Sequence, residues 1–211
     1  MIHYRPCGGT TGDSPESGRP IAIIFPPFAE EMNRCRRMMT LQAEALATAG
    51  TGVIVFDYSS TGDSDGEFAD ARWERWVDDG HAMLDTALDL GATAIYPIAI
   101  RLGAAVALTV ARDRQAEIDR MVLWQPVSSG ALHMTQFLRL RIAAALTGEK
   151  TGETTRSLRQ RLVEGEILEV GGYALSGSLT TEIESIRLES FSPQFPVTWL
   201  ETMSQEPVAI S

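Results

Sequence analysis

Lysine is almost missing from this chain: Lys150 is the single one among 18 basic residues. Any recognition of anions therefore falls to arginine, whose planar fork suits paired hydrogen bonds. Cysteine is scarce as well. Cys7 and Cys35 supply neither the four ligands of a structural zinc site nor a disulfide framework, so no metal and no cofactor is expected. Long apolar runs are absent, and none approaches the roughly eighteen residues that cross a bilayer. Met1 to Thr10 lacks the basic start and apolar stretch of a secretory signal. These absences predict a cytoplasmic protein without membrane insertion. Positive charge is in deficit, with 28 acidic against 18 basic side chains and a net charge of −10. Such a balance repels nucleic-acid backbone and excludes it as the expected partner.

What is present suits a single domain spanning residues 1–211, long enough to bury a core without staples. Short apolar runs alternate with longer stretches of helical period, the pattern of an α/β fold with a mostly parallel sheet flanked by helices. The runs 21–25, 53–56, 94–100, 121–124 and 197–200 read as strands. Helical period covers 36–49, 73–90 and 102–112. From 128 to 190 the strand signal stops, and helical stretches such as 131–146 and 155–165 predict a helical lid inserted in the domain. Ser59 to Gly66 is rich in turn formers and reads as a shaped surface loop.

The segment Ala99-Ile100-Arg101-Leu102-Gly103, between a strand and a small-residue helix, has the layout of a nucleophile elbow. Its central position holds Arg101, which is always protonated and cannot attack a carbonyl. An ordinary strand-to-helix turn with a surface arginine is the competing reading. Pro26-Pro27-Phe28-Ala29-Glu30-Glu31-Met32-Asn33-Arg34, Gly62-Asp63-Ser64-Asp65-Gly66 and Trp124-Gln125-Pro126 all follow strands, at the end of the sheet where ligands bind.

Together with Arg101-Leu102-Gly103-Ala104 and Thr135-Gln136-Phe137-Leu138-Arg139-Leu140-Arg141, these motifs resemble the α/β-hydrolase family called exosortase A system-associated hydrolase 2. The resemblance spans most of the chain. It implies an α/β-hydrolase fold, a hydrolase acting on an ester- or thioester-type, small-molecule or glycan-related substrate, and an association with exopolysaccharide and protein-sorting systems.

Serine-hydrolase chemistry on that fold runs in the chain order Ser, acid, His. His3, His81 and His133 all precede the last strand, and no His follows Leu200, so the residues present do not spell a Ser-His-acid triad. A closing strand and helix usual in that fold are expected to be missing. Catalytic candidates are then Glu30, Glu31, His133 and Ser64, with Cys35, placed at the start of the first helix, as another nucleophile. Arg34, Arg101, Phe28, Asp63 and Gln125 are candidate ligand-binding residues, with Arg34 and Arg101 gripping an anion in a non-catalytic version of the fold. Against this stands an internal network in which Glu30, Glu31 and Asp63 neutralise Arg34, Arg36, Arg37 and Arg101. A third expectation is a scaffold that docks a partner protein, or a second copy as a homodimer, through the lid around Leu138 and Leu140.

Overall fold

Ile21 to Phe25 is apolar at every position because both faces of its strand are covered, and all five residues are at most 1% exposed. In the computed structural model, which describes residues 1–6, 18–145 and 152–202, this run lies in β2 (Arg19–Phe25). Cys7 and Lys150, weighed in the sequence, lie outside the described residues. On one side β2 pairs in parallel with β3 (Gly52–Val55), on the other with β4 (Ala92–Ile100). Parallel pairing continues through β5 (Met121–Trp124) to β8 (Val197–Leu200), while β1 (Ile2–Tyr4) joins β3 antiparallel. The resulting order is β1-β3-β2-β4-β5-β8.

Alternation along β2 decides which helix each residue meets. Ile21, Ile23 and Phe25 belong to the core shared with α2 (Trp73–Asp89) and α3 (Gly103–Asp113). Ala22 and Ile24 face the other way, toward Met39 and Ala43 of α1 (Glu30–Thr48). Small residues let the layers close up. A Cβ at Gly80 of α2 would stand 2.6 Å from Val110 and 3.0 Å from Phe25. The expectation of a mostly parallel sheet flanked by helices is met: this is the α/β-hydrolase architecture. Among the described residues no helix is long and apolar enough to cross a membrane.

Between β5 and β8 lie α4 (Gly130–Ala145), α5 (Thr155–Val163), the strands β6 (Leu168–Val170) and β7 (Tyr173–Leu175), and α6 (Gly177–Glu184). Helix ends abut here: a Cβ at Gly130 would meet Ile183 O, and one at Gly177 would meet Leu162 O. An all-helical reading of 128–190 needs correction, since β6 and β7 form an antiparallel hairpin. Leu168 and Val170 are buried while Glu169 is exposed, the alternation of a half-buried strand, and Gly171-Gly172 turn the chain at positive φ. Two other boundaries differ from expectation. β1 is too short for periodicity to reveal, and α1 begins at Glu30, six residues before the apolar period becomes clear at Arg36.

Candidate functional site

Four strands of the sheet end in the same way. Ala29 after β2, Ser60 after β3, Arg101 after β4 and Gln125 after β5 are the described non-glycine residues with positive φ, at 49°, 63°, 54° and 46°. Such backbone costs about 1–3 kcal/mol per residue and persists where the surroundings over-determine it. All four sit at the carboxyl end of the sheet, so the strain is gathered on one rim.

Arg101 stands at the elbow. Its N–H donates to Trp124 O at 3.0 Å, and its carbonyl accepts from Val127 N at 3.2 Å and from Ala104 N at 3.2 Å. Gly103 follows because nothing larger fits: a Cβ there would stand 2.5 Å from Pro26 O and 2.6 Å from Phe25 O. The β2–α1 loop is thereby pressed against the start of α3. The Arg101 side chain folds back across this junction. Its Nε donates to Glu31 Oε1 at 3.0 Å and its Nη1 to the carbonyl of Gln125 at 3.1 Å. The pair is partly open, with 29% of the arginine and 23% of the glutamate side chain exposed. A double-mutant cycle on Arg101→Met and Glu31→Gln should therefore give a coupling of about 1 kcal/mol or less, read by urea denaturation. A coupling several times larger would mean that the pair carries the fold.

Glu31 also has a buried Oε2 with no hydrogen-bond partner, as does its neighbour Glu30. Burial pushes the Glu30 carboxyl above its ordinary range, and the adjacent Glu31 adds to the effect. His133, on the first turn of α4, is buried with its Nε2 unpartnered and its ring edge-on to Phe28 at 5.7 Å. Burial first, and the Arg101 charge second, lower its pKa to about 4, so it is neutral at pH 7.

The other sequence candidates fall elsewhere. Ser64 is a brace, its hydroxyl donating to Asp57 O at 2.8 Å. Asp63 donates its backbone N–H to Asp57 Oδ2 at 2.9 Å and lies 3.8 Å from Arg36, beside an Arg36–Asp57 ion pair of 2.9 Å. The Gln125 side chain donates to Thr202. Arg34 is exposed one turn along α1, where its charge acts on Glu30. Cys35 lies in the second turn of α1, and burial followed by Glu31 raises its pKa, so it is a thiol at neutral pH. Of the expected network, Arg101–Glu31 and the longer Arg36–Asp63 contact are present, while the closer partner of Arg36 is Asp57, which the sequence reading does not name. Among the described residues no cluster of three or more His, Cys, Asp or Glu is placed to hold a metal ion.

Phe28, a candidate ligand-binding residue in the sequence, is the hub of an aromatic cluster that sequence reasoning missed. Its ring contacts Phe68, Trp76, His133 and Phe137 with centroids 4.9 to 6.1 Å away. Together with Tyr58, Leu102, Gly103, Val106 and Tyr173 it lines an apolar pocket behind the elbow. Tyr58 is stacked on Trp76 at 5.2 Å and its buried hydroxyl has no partner. On the outer side of Tyr173 a groove of about 650 Å³ opens between Asn33, Arg36, Asp63 and the Gly171-Gly172 turn.

A search of curated proteins finds none that matches. Solved structures do share the fold. Est1E from Butyrivibrio proteoclasticus, determined with ferulic acid bound, superposes with a TM-score of 0.65 at 23% identity, over 94% of this chain and 72% of that one. Alpha/beta hydrolase domain-containing protein 10 from mouse gives 0.57 at 22% identity, over 87% of this chain and 68% of its own. The sequence itself carries the family assignment, because the model described as Serine aminopeptidase, S33 matches residues 19–168. With the elbow, the parallel sheet and that match in hand, the chain belongs to the serine aminopeptidase S33 family of α/β hydrolases.

Proposed function

We propose that this hydrolase-family chain handles an ester- or thioester-type small molecule at the elbow without forming an acyl-enzyme. The observation that carries the reading is the guanidinium of Arg101 at the elbow, tied to Glu31 and the Gln125 carbonyl. Arginine has no lone pair to attack with at any physiological pH. Its charge beside the N-terminus of α3 instead suits a carbonyl oxygen that gains negative charge. Hydrolysis then uses water directly. Glu31 takes a proton from the water as its oxygen bonds to the carbonyl carbon. The bond from that carbon to the leaving oxygen or sulfur breaks, and Glu30, whose raised pKa favours the protonated form, returns a proton to the leaving group. Residues 128–190 form the lid in this reading, and the resemblance to exosortase A system-associated hydrolase 2 supports a place beside exopolysaccharide and protein-sorting systems.

A second reading has its own support. The Arg101–Glu31 pair already satisfies the cation, as expected of a non-catalytic relative that only binds an ester-like or carboxylate ligand there. A panel of 4-nitrophenyl esters, combined with intact mass, separates the two. The hydrolytic reading expects turnover that drops at least about 100-fold in Glu31→Gln, with no added acyl mass. No turnover by the parent chain, with binding of a non-hydrolysable ester analogue lost in Arg101→Ala, supports the second reading. A stable acyl or fluorophosphonate adduct on any serine of the chain sinks both.

A further inference from the structure

We infer that Tyr173 is a gate dividing one ligand site into two compartments: an outer polar groove for the head of a molecule and an inner apolar pocket for its hydrophobic group. The two compartments share Met32 and Tyr173 as walls, yet differ sharply in room. The inner pocket holds about 10 Å³, the space of a single water, whereas the groove holds about 650 Å³. An inner chamber lined by Phe28, Trp76, Leu102 and Val106 is chemically suited to an acyl or aryl group. It is shut by whatever stands between it and the groove.

That wall is held by two separable contacts. Asn33 Nδ2 donates to the Tyr173 hydroxyl at 2.8 Å, an exposed hydrogen bond linking α1 to β7, and the Tyr173 ring meets Phe68 edge-on at 4.9 Å. Exposed hydrogen bonds of this kind exchange readily with water, so the ring is anchored weakly. Tyr173 begins β7 directly after Gly171 and Gly172, both at positive φ; an added Cβ would meet nothing within 4 Å at Gly172 and only Leu140 at 3.7 Å and Phe137 at 4.0 Å at Gly171. A two-glycine turn is the backbone that lets a hairpin tip pivot. The polar side of the gate is set by Asn33, Arg36 and the exposed Asp63. Because Arg36 is already paired with Asp57, the groove suits an uncharged, hydrogen-bonding head. The ligand therefore has an apolar group of acyl or aryl kind joined to a neutral polar head. This identity of the ligand rests on the reading of the site given above; the gate itself does not.

The test uses the full chain with Cys7→Ser and Cys35→Ser, and Val106→Cys as a reporter on the inner wall. N-ethylmaleimide labelling of that thiol should be slow, and at least about tenfold faster when Tyr173→Ala is added. Tyr173→Phe and Asn33→Ala, which remove only the hydrogen bond, should fall between. Ala107→Cys, one residue along α3 in the core and off the pocket, reports general loosening and should not respond to Tyr173→Ala. Equal rates at position 106 with and without Tyr173→Ala, or an equal rise at position 107, would overturn the gate. Methyl decanoate, an uncharged ester with an apolar acyl chain, should slow labelling of the opened Val106→Cys chain. Fast labelling that it leaves untouched overturns the ligand assignment while the gate stands.

Discussion

Gly103→Ala should lose more than about 3 kcal/mol of stability, enough to remove a cooperative urea transition from a marginal domain. The new methyl would lie 2.5 Å and 2.6 Å from the carbonyl oxygens of Pro26 and Phe25. Both are backbone atoms at the end of the central strand, so neither can swing aside as a side chain would. Relief requires the β2–α1 loop to move off α3, and that loop carries Phe28 and leads directly into Glu30 and Glu31 at the start of α1. Gly165→Ala provides the contrast. Unlike the helical Gly103, it has a positive φ, at 91°, yet nothing lies within 4 Å of the added atom, and it should cost only about 1–2 kcal/mol. A Gly103→Ala chain with a transition midpoint no lower than that of Gly165→Ala would show that the elbow is not packed against the loop.

The second large effect is pH-dependent. His133 titrates near pH 4 in the fold against about 6.5 in an unfolded chain, so between these values the unfolded state binds more protons and gains on the folded one. Stability contributed by the neutral imidazole is complete above about pH 6.5 and is lost as pH falls through about 4, a difference of about 3 kcal/mol. The cause is burial against Phe28 first and the charge of Arg101 second. Urea midpoints measured from pH 7.5 to 4.5 should therefore fall steeply in the parent chain and remain nearly flat in His133→Phe. Parallel curves would refute the assignment. Other groups act in distinguishable ranges. Glu153, held low by Arg141 and Arg161, loses its contribution only as pH drops below the ordinary carboxylate range, while the raised Glu30 works in the opposite direction, weakening the fold as pH rises.

Much of this scaffold is legible in the sequence because the central strands are continuous apolar runs and proline or glycine punctuates their ends. Arg101 could be placed at an elbow for a local reason: Gly103 and the small residues of α3 announce a close approach before any coordinate is known. The candidate site is less legible because its walls come from distant parts of the chain. Asn33 and Tyr173 lie 140 residues apart and meet only through the hairpin. A signal for that hairpin existed in Leu168-Glu169-Val170-Gly171-Gly172-Tyr173-Ala174-Leu175, a glycine pair between alternating segments, yet each strand has only three residues and is masked by the helices around it. Ser64 illustrates the reverse failure. A serine in a glycine-rich loop looks reactive in sequence, and only the Asp57 carbonyl at 2.8 Å reveals a hydroxyl engaged in bracing a turn.

Ala29, Ser60, Arg101 and Gln125, the left-handed residues at the ends of β2 to β5, have a consequence for anyone seeking a hardier version of this protein. Glycine relieves that backbone strain, and at Ala29 it also takes a methyl from the core. The easiest gains in heat resistance consequently lie on the same perimeter that shapes the cleft. At Arg101 the exchange would also discard the charge, so selection for robustness alone would drift toward a sturdier, blanker molecule.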